Sequence, residues 1–190
     1  MSTVAGVPSN LTWDEFLALP YELRNVALID GEVVVNPPNA QHELVVQNLV
    51  LAFRQWAAQG PGRGEVSTQQ PVKINDRRGY QPDVAWYPAE VCAPAGEPAS
   101  FSGPPGIVIE IQSPSTRGFD LMSKRADYDR IGIPEAWFVD PRLDRGPKVM
   151  VCVRPEPGAG YGDCELGPTD TLTSRLLPGF SLLVADLTRR

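Results

Sequence analysis

The sequence predicts a mixed α/β (α+β) fold, a sheet with helices packed on it. Three features carry that reading. The stretch Asn39 to Ala58 has apolar residues at helical spacing. Gly106-Ile-Val-Ile-Glu-Ile-Gln is a nearly continuous β-branched run, as in a central strand buried on both faces. A second helical pattern at Asp120 to Ile131 leads into another strand-like run at Ala136 to Val139. Helix, several strands, helix and strand in that order make a mixed sheet with helices against it.

Each element has its own local signal. In Leu11-Thr12-Trp13-Asp14-Glu15-Phe16, Thr12 can cap a short helix with Glu15 three residues on, the capping-box spacing, and Pro20 ends it. Val26 to Ile29 and Val33 to Val35 flank Asp30-Gly31, so they form a hairpin. In the long helix Leu44, Val45, Leu49, Phe53 and Trp56 make the stripe, and Gly60-Pro61-Gly62 stops it. Val66 to Ile74 reads as a strand, Asp76-Arg77-Arg78-Gly79 as a turn, and Tyr80 to Tyr87 as the next strand. In that strand Val84 and Trp86 share one face and Asp83 lies on the other. Residues 88–105 hold five prolines and form a surface loop, and Ser113-Pro114-Ser115-Thr116 closes the central strand. Gly132 and Pro134 end the second helix. Val149 to Val153 is a further strand, followed by short strands around Tyr161 and Leu172 and a last partial turn at Leu182 to Leu187.

The 190 residues suit one domain, 1–190, with its core at about 25–155. A hydrophobic share of 42% and a charged share of 21% are those of a soluble globular protein. No apolar stretch approaches the roughly 20 residues that span a bilayer, so no membrane association is expected. The first ten residues lack the basic and apolar regions of a signal peptide. Cys92, Cys152 and Cys164 are odd in number and lack CxxC spacing, which suits reduced thiols in the cytoplasm. A net charge of −6 argues against tight, sequence-independent nucleic-acid binding, although carboxylates gathered around a metal also contribute to such a charge.

Chemistry concentrates at few positions. Glu110 inside a buried apolar run is costly unless it is paired or bound to a cation. If the strands carrying Asp83 and Glu110 are neighbours, the two carboxylates and Gln112 can converge, because Glu110 and Gln112 project from one face. Mg²⁺ is commonly held by one or two carboxylates, with waters and substrate phosphate completing its shell. Asp120, Lys124 and Tyr128 recur at i, i+4 and i+8, and Lys124 is long enough to reach back over a strand end. The plainer alternatives are a strand-edge carboxylate at Asp83, a buried Glu110–Lys124 ion pair, a helical Asp120–Lys124 salt bridge, and a strand-end amide at Gln112. Tyr128 suits core packing or a hydrogen bond to a site carboxylate. Trp137 and Asp140 read as structural. Arg77 and Arg78 read as a solvated turn or as contacts to a nucleic-acid backbone.

Several motifs in order resemble the Uma2 family: Leu28-Ile29-Asp30-Gly31-Glu32, His42 opening the long helix, Pro82-Asp83-Val84, the Val-Ile-Glu-Ile-Gln-Ser-Pro-Ser-Thr of 108–116, the Asp120, Lys124 and Tyr128 helix, and Gly132-Ile-Pro-Glu-Ala-Trp-Phe-Val-Asp-Pro. The resemblance covers roughly 11–187. It implies the restriction endonuclease-like fold of the PD-(D/E)XK superfamily, whose core is an αβββαβ unit around a mixed four-stranded sheet. It implies Asp83 and Glu110 as ligands of Mg²⁺ or Mn²⁺. Gln112 stands where the motif's lysine is expected, and in such members the lysine comes from the following helix, here Lys124. Glu43 is the best match to an accessory acid of the first core helix. His42, the only histidine, can contact phosphate or tune water near the site, or can sit on a polar helix terminus.

The first reading is therefore a metal-dependent endonuclease acting on nucleic acid, DNA favoured, with a homodimer expected because a nuclease that cuts both strands usually needs two sites. The second is a nuclease-fold module that binds nucleic acid or a protein without cleaving. A third is a purely structural carboxylate–lysine network.

Overall fold

The computed structural model describes residues 2–3, 7–19, 25–35, 38–112, 119–142 and 144–190. Asn39 caps the long helix α2 (Ala40–Ala57) by accepting the His42 backbone N–H. Before it come β1 (Ser2–Thr3), α1 (Trp13–Leu17), β2 (Val26–Ile29) and β3 (Glu32–Val35). After it come β4 (Glu65–Ser67), β5 (Val72–Asn75), β6 (Arg78–Tyr80), β7 (Val84–Tyr87) and β8 (Ile107–Ile111). Helix α3 (Phe119–Arg130) then leads to β9 (Glu135–Asp140), β10 (Lys148–Val153), β11 (Gly162–Leu166), β12 (Thr171–Leu172) and β13 (Leu182–Leu183).

A six-stranded sheet in the order β11-β10-β9-β8-β7-β4 forms the centre. Its one parallel pair is β8 and β9, and α3 supplies the crossover that a parallel connection requires. Helix α2, β4, β7, β8, α3 and β9 follow in the αβββαβ order. A five-stranded antiparallel sheet, β1-β3-β2-β6-β5, lies against it.

Period-two alternation divides the central strands between two cores. Ile107, Ile109 and Ile111 with Trp137 and Val139 face α2, meeting Val45, Leu49, Phe53 and Trp56. Val108, Ala136, Phe138 and Cys152 face the other way, toward Tyr128 of α3 and Val72, Ile74 and Tyr80 of the second sheet. The C-terminal segment closes the α2 side through Leu172, Leu177, Phe180, Val184 and Leu187. Asn48 of α2 holds it by donating to the carbonyls of Asp186, Leu187 and Arg189.

Four sequence readings change here. The strands expected at 66–74 and 80–87 are each divided, because β4 and β7 belong to the central sheet while β5 and β6 form a hairpin in the other. Pro71 and Pro82 stand near the breaks, where a residue without an N–H cannot continue a ladder. The turn expected at 76–79 is shorter, since Arg78 and Gly79 already pair in β6. The loop 88–105 contains a 3-10 turn at Ala89–Val91 and a Cys92–Phe101 bridge. The last partial turn is the short strand β13 followed by a 3-10 helix, Val184–Thr188. The strand-closing residues 113–116 and the side chain of Asp120 lie outside the described residues.

Candidate active site

The site forms where β7 and β8 leave the ladder. Their register pairs Val84 with Ile109, so two residues on Ile111 faces Pro82, which has no N–H. The Ile111 N–H also needs an acceptor, and Asp83 provides it: Oδ2 accepts at 2.7 Å. The other oxygen of Asp83, Oδ1, accepts from His42 Nε2 at 3.1 Å. One end of the carboxylate is thus tied to the sheet and the other to α2. Asp83 is only 8% exposed and His42 5%.

Glu110 is 7% exposed and faces α3. Its Oε1 accepts from the Tyr128 hydroxyl at 2.7 Å and its Oε2 from Lys124 Nζ at 2.8 Å. The i, i+4 spacing of Lys124 and Tyr128 is what lets one helix face hold both oxygens. Burial is the strongest influence on Glu110, and although Lys124 opposes it the carboxyl is pushed up to about 7, the charge of Asp83 adding to the rise. Burial and the neighbouring Glu110 charge keep the Tyr128 hydroxyl protonated, well above its ordinary range. For His42, burial alone would lower the pKa, but its hydrogen bond to Asp83 and that residue's charge outweigh burial and raise it.

Asp83, Glu110, Gln112 and Lys124 line one cavity of about 50 Å³, bordered on its apolar side by Ala27, Ile29, Val34, Leu121 and Phe138. That volume accommodates a few water molecules, each needing roughly 10–15 Å³. The donor set fits a hard divalent cation: two carboxylates and an amide oxygen, with no thiolate among them. Each carboxylate oxygen has two lone pairs, so one donor apiece leaves capacity for a metal on the same oxygens. Among the described residues no group of three or more His, Cys, Asp or Glu side chains could hold a metal ion.

The other residues singled out from the sequence sit as follows. Glu43 is 51% exposed by side chain, with Oε1 4.0 Å from His42 Nδ1, and is not part of the cavity lining. His42 is buried rather than on a polar face, and its Nδ1 is a buried nitrogen without a hydrogen-bond partner. The two arginines expected on a solvated turn are engaged. Arg77 donates to the Asp30 carbonyl at 2.8 Å, and Arg78 bridges Asp30 and Asp127 at 2.8 and 3.2 Å. Trp137 is fully buried and donates to Glu135. What sequence reasoning missed is the His42–Asp83 contact, and the buried Asp127 that gathers Arg78, Tyr80 and Arg130. The available signal for Asp127 was its place beside Tyr128, one step round the helix.

Residues 13–185 match the family model of Uma2, described as "Putative restriction endonuclease". Among solved structures the chain is similar to a protein of Anabaena variabilis described as "a putative nuclease belonging to DUF820". The two share 18% sequence identity at a TM-score of 0.76, over 94% of this chain and 97% of that one. At that identity the likeness concerns the fold, which is restriction endonuclease-like. No curated protein matches the sequence. With nearly its whole length covered by the family model, the chain belongs to the Uma2 family.

Proposed function

We propose that the protein is a metal-dependent endonuclease that hydrolyses phosphodiester bonds of nucleic acid, DNA by preference. The observation that supports this most is the cavity itself: two buried carboxylates, Asp83 just before β7 and Glu110 in β8, with Lys124 2.8 Å from Glu110 and Gln112 beside it. Asp83 and Glu110 would hold Mg²⁺ or Mn²⁺. Bound there, such a cation supplies Lewis acidity toward a phosphoryl oxygen and offsets developing negative charge.

The chain's own residues prepare that site. His42 and the Ile111 N–H fix both oxygens of Asp83, and Tyr128 fixes Oε1 of Glu110, so little reorganisation remains when substrate arrives. Lys124 presents an ammonium where charge accumulates as the nucleophile attacks in line, and it orients that nucleophile. Gln112 completes the polar wall in the position where the strand lysine of the wider motif is absent.

Isothermal titration with Mg²⁺ and Mn²⁺, paired with a plasmid-nicking assay, tests the reading against Asp83→Ala and Glu110→Ala. Both variants should lose cation binding, and nicking should fall by about 10²-fold or more, as for loss of a transition-state electrostatic partner. Nicking that survives both substitutions removes the proposal.

A second reading, a module that binds nucleic acid or a protein without cleaving, is favoured by Gln112 in place of a strand lysine and by the −6 net charge. It expects no cleavage with any divalent metal and unchanged binding in Lys124→Ala. A homodimer follows from the first reading where both strands are cut, and light scattering with and without duplex would measure it.

A further inference from the structure

The ammonium of Lys124 meets groups of different chemistry. Glu110 Oε2 accepts from it at 2.8 Å, and the centroid of the Tyr80 ring lies 5.4 Å from Nζ. That is within the range at which an aromatic face attracts a cation, and Tyr80 is 2% exposed, so water screens the attraction little. The ring is held from behind. Its hydroxyl donates to Asp127 at 2.5 Å, while Arg78 and Arg130 donate to the same carboxylate at 3.2 and 2.6 Å. Arg78 also bridges to Asp30 on the β2–β3 turn at 2.8 Å. Tyr128 meets the Tyr80 ring edge-on at 5.7 Å and 67°. Two tyrosines thus form one floor: Tyr128 fixes Glu110 and Tyr80 carries the ammonium.

We propose that Tyr80 is a positioning residue that keeps Lys124 at the site when Glu110 engages a cation. The inference rests on the nuclease reading above. A lysine on a flexible four-carbon stem follows its partner charge. Once a cation draws on the Glu110 oxygens, the pull of Glu110 on Lys124 weakens. The face of Tyr80 is an anchor that the cation does not compete for. The hydrogen bond to the Asp127 carboxylate leaves the ring more electron-rich, which strengthens its hold on the ammonium.

The chain has three lysines, Lys73, Lys124 and Lys148, so the test is simple to read by NMR of ¹³C,¹⁵N-lysine protein with Lys124→Arg for assignment. The Lys124 Hε and Cε resonances should lie upfield of the other two, shielded by the ring, and should remain so when Mg²⁺ is added. Tyr80→Leu should abolish that shielding and lower kcat by about tenfold with KM nearly unchanged, whereas Tyr80→Phe, which keeps the face, should restore kcat to within about threefold. An unshielded Lys124 in the unmutated protein overturns the proposal, as does full turnover in Tyr80→Leu. A loss in Tyr80→Phe as large as in Tyr80→Leu also overturns it, assigning the effect to the hydroxyl and Asp127 instead. Where Tyr80→Leu fails to fold, the shielding in the unmutated protein and the turnover of Tyr80→Phe decide. An unmutated protein that cuts nothing removes the nuclease reading, while the Lys124 resonance still judges the placement by itself.

Discussion

Glu110 is a carboxylate buried inside an apolar strand, and burial governs its protonation. With its carboxyl pushed up to about 7 from an ordinary 4.5, the folded protein holds a proton that the unfolded chain has already released across that interval. Folding stability without divalent cations should therefore fall as pH rises from about 4.5 to 7, since the native state binds more protons there. The raised pKa of His42 adds stability that is complete below 6.5 and is lost as pH rises through its folded value, so the two groups act in the same direction. Urea unfolding in EDTA at several pH values should show this slope, and Glu110→Gln should flatten its acidic part; an unchanged slope in that variant contradicts the assignment. Tyr128→Phe leaves Oε1 of Glu110 without its 2.7 Å donor. The cost should be about 1–3 kcal/mol in the urea midpoint, as for a buried acceptor left unsatisfied.

At the scale of elements, capping and close approach decide more than propensity does. The five-residue helix α1 is too short to stand by itself and depends on its capping box, Thr12 accepting the Glu15 N–H at 3.3 Å and Glu15 accepting the Thr12 N–H at 2.8 Å. Thr12→Ala should destabilise the protein by about 1 kcal/mol in thermal or urea unfolding. Trp13 of that helix lies directly on the backbone of β6: a Cβ built at Gly79 would come within 1.9 Å of its ring. Gly79→Ala must therefore displace Trp13 and should cost about 1–3 kcal/mol or more, measured in the same way. The capping box and the Asp30-Gly31 hairpin were legible because both are local signals; Asp30 and Gly31 have φ of 53° and 87°, as such a turn requires. The division of the run 66–87 between two sheets was not legible, because strand periodicity says which face a residue takes and not which sheet it joins.

For the molecule as a whole, the site depends on layers held together from both sides. Helix α2 carries His42 to Asp83 at its N-terminal end, and further along it Asn48 fastens the C-terminal segment over the same core. Asn48→Ala should cost about 1–3 kcal/mol, because the Asp186, Leu187 and Arg189 carbonyls lose their common donor; circular dichroism melts would show it. On the opposite face, α3 brings Lys124 and Tyr128 to Glu110, and the β5–β6 hairpin brings Tyr80 to Lys124 and Tyr128.

The helices, the buried central strand and the hairpin are legible in the residues through periodicity, turn chemistry and a charge placed where burial opposes it. The candidate set Asp83, Glu110, Gln112 and Lys124 is legible in the spacing of those residues together with the resemblance to the Uma2 family, which assigns them to one site. Only the tertiary structure decided that His42 is buried against Asp83, that Glu43 stays outside the cavity and that Arg77 and Arg78 are engaged. It also decided that Tyr80 lies beside Lys124. Each of these depends on contacts between residues far apart in sequence or on the direction in which a side chain leaves its element. Both are set by how the two sheets pack, and local pattern carries no information about that.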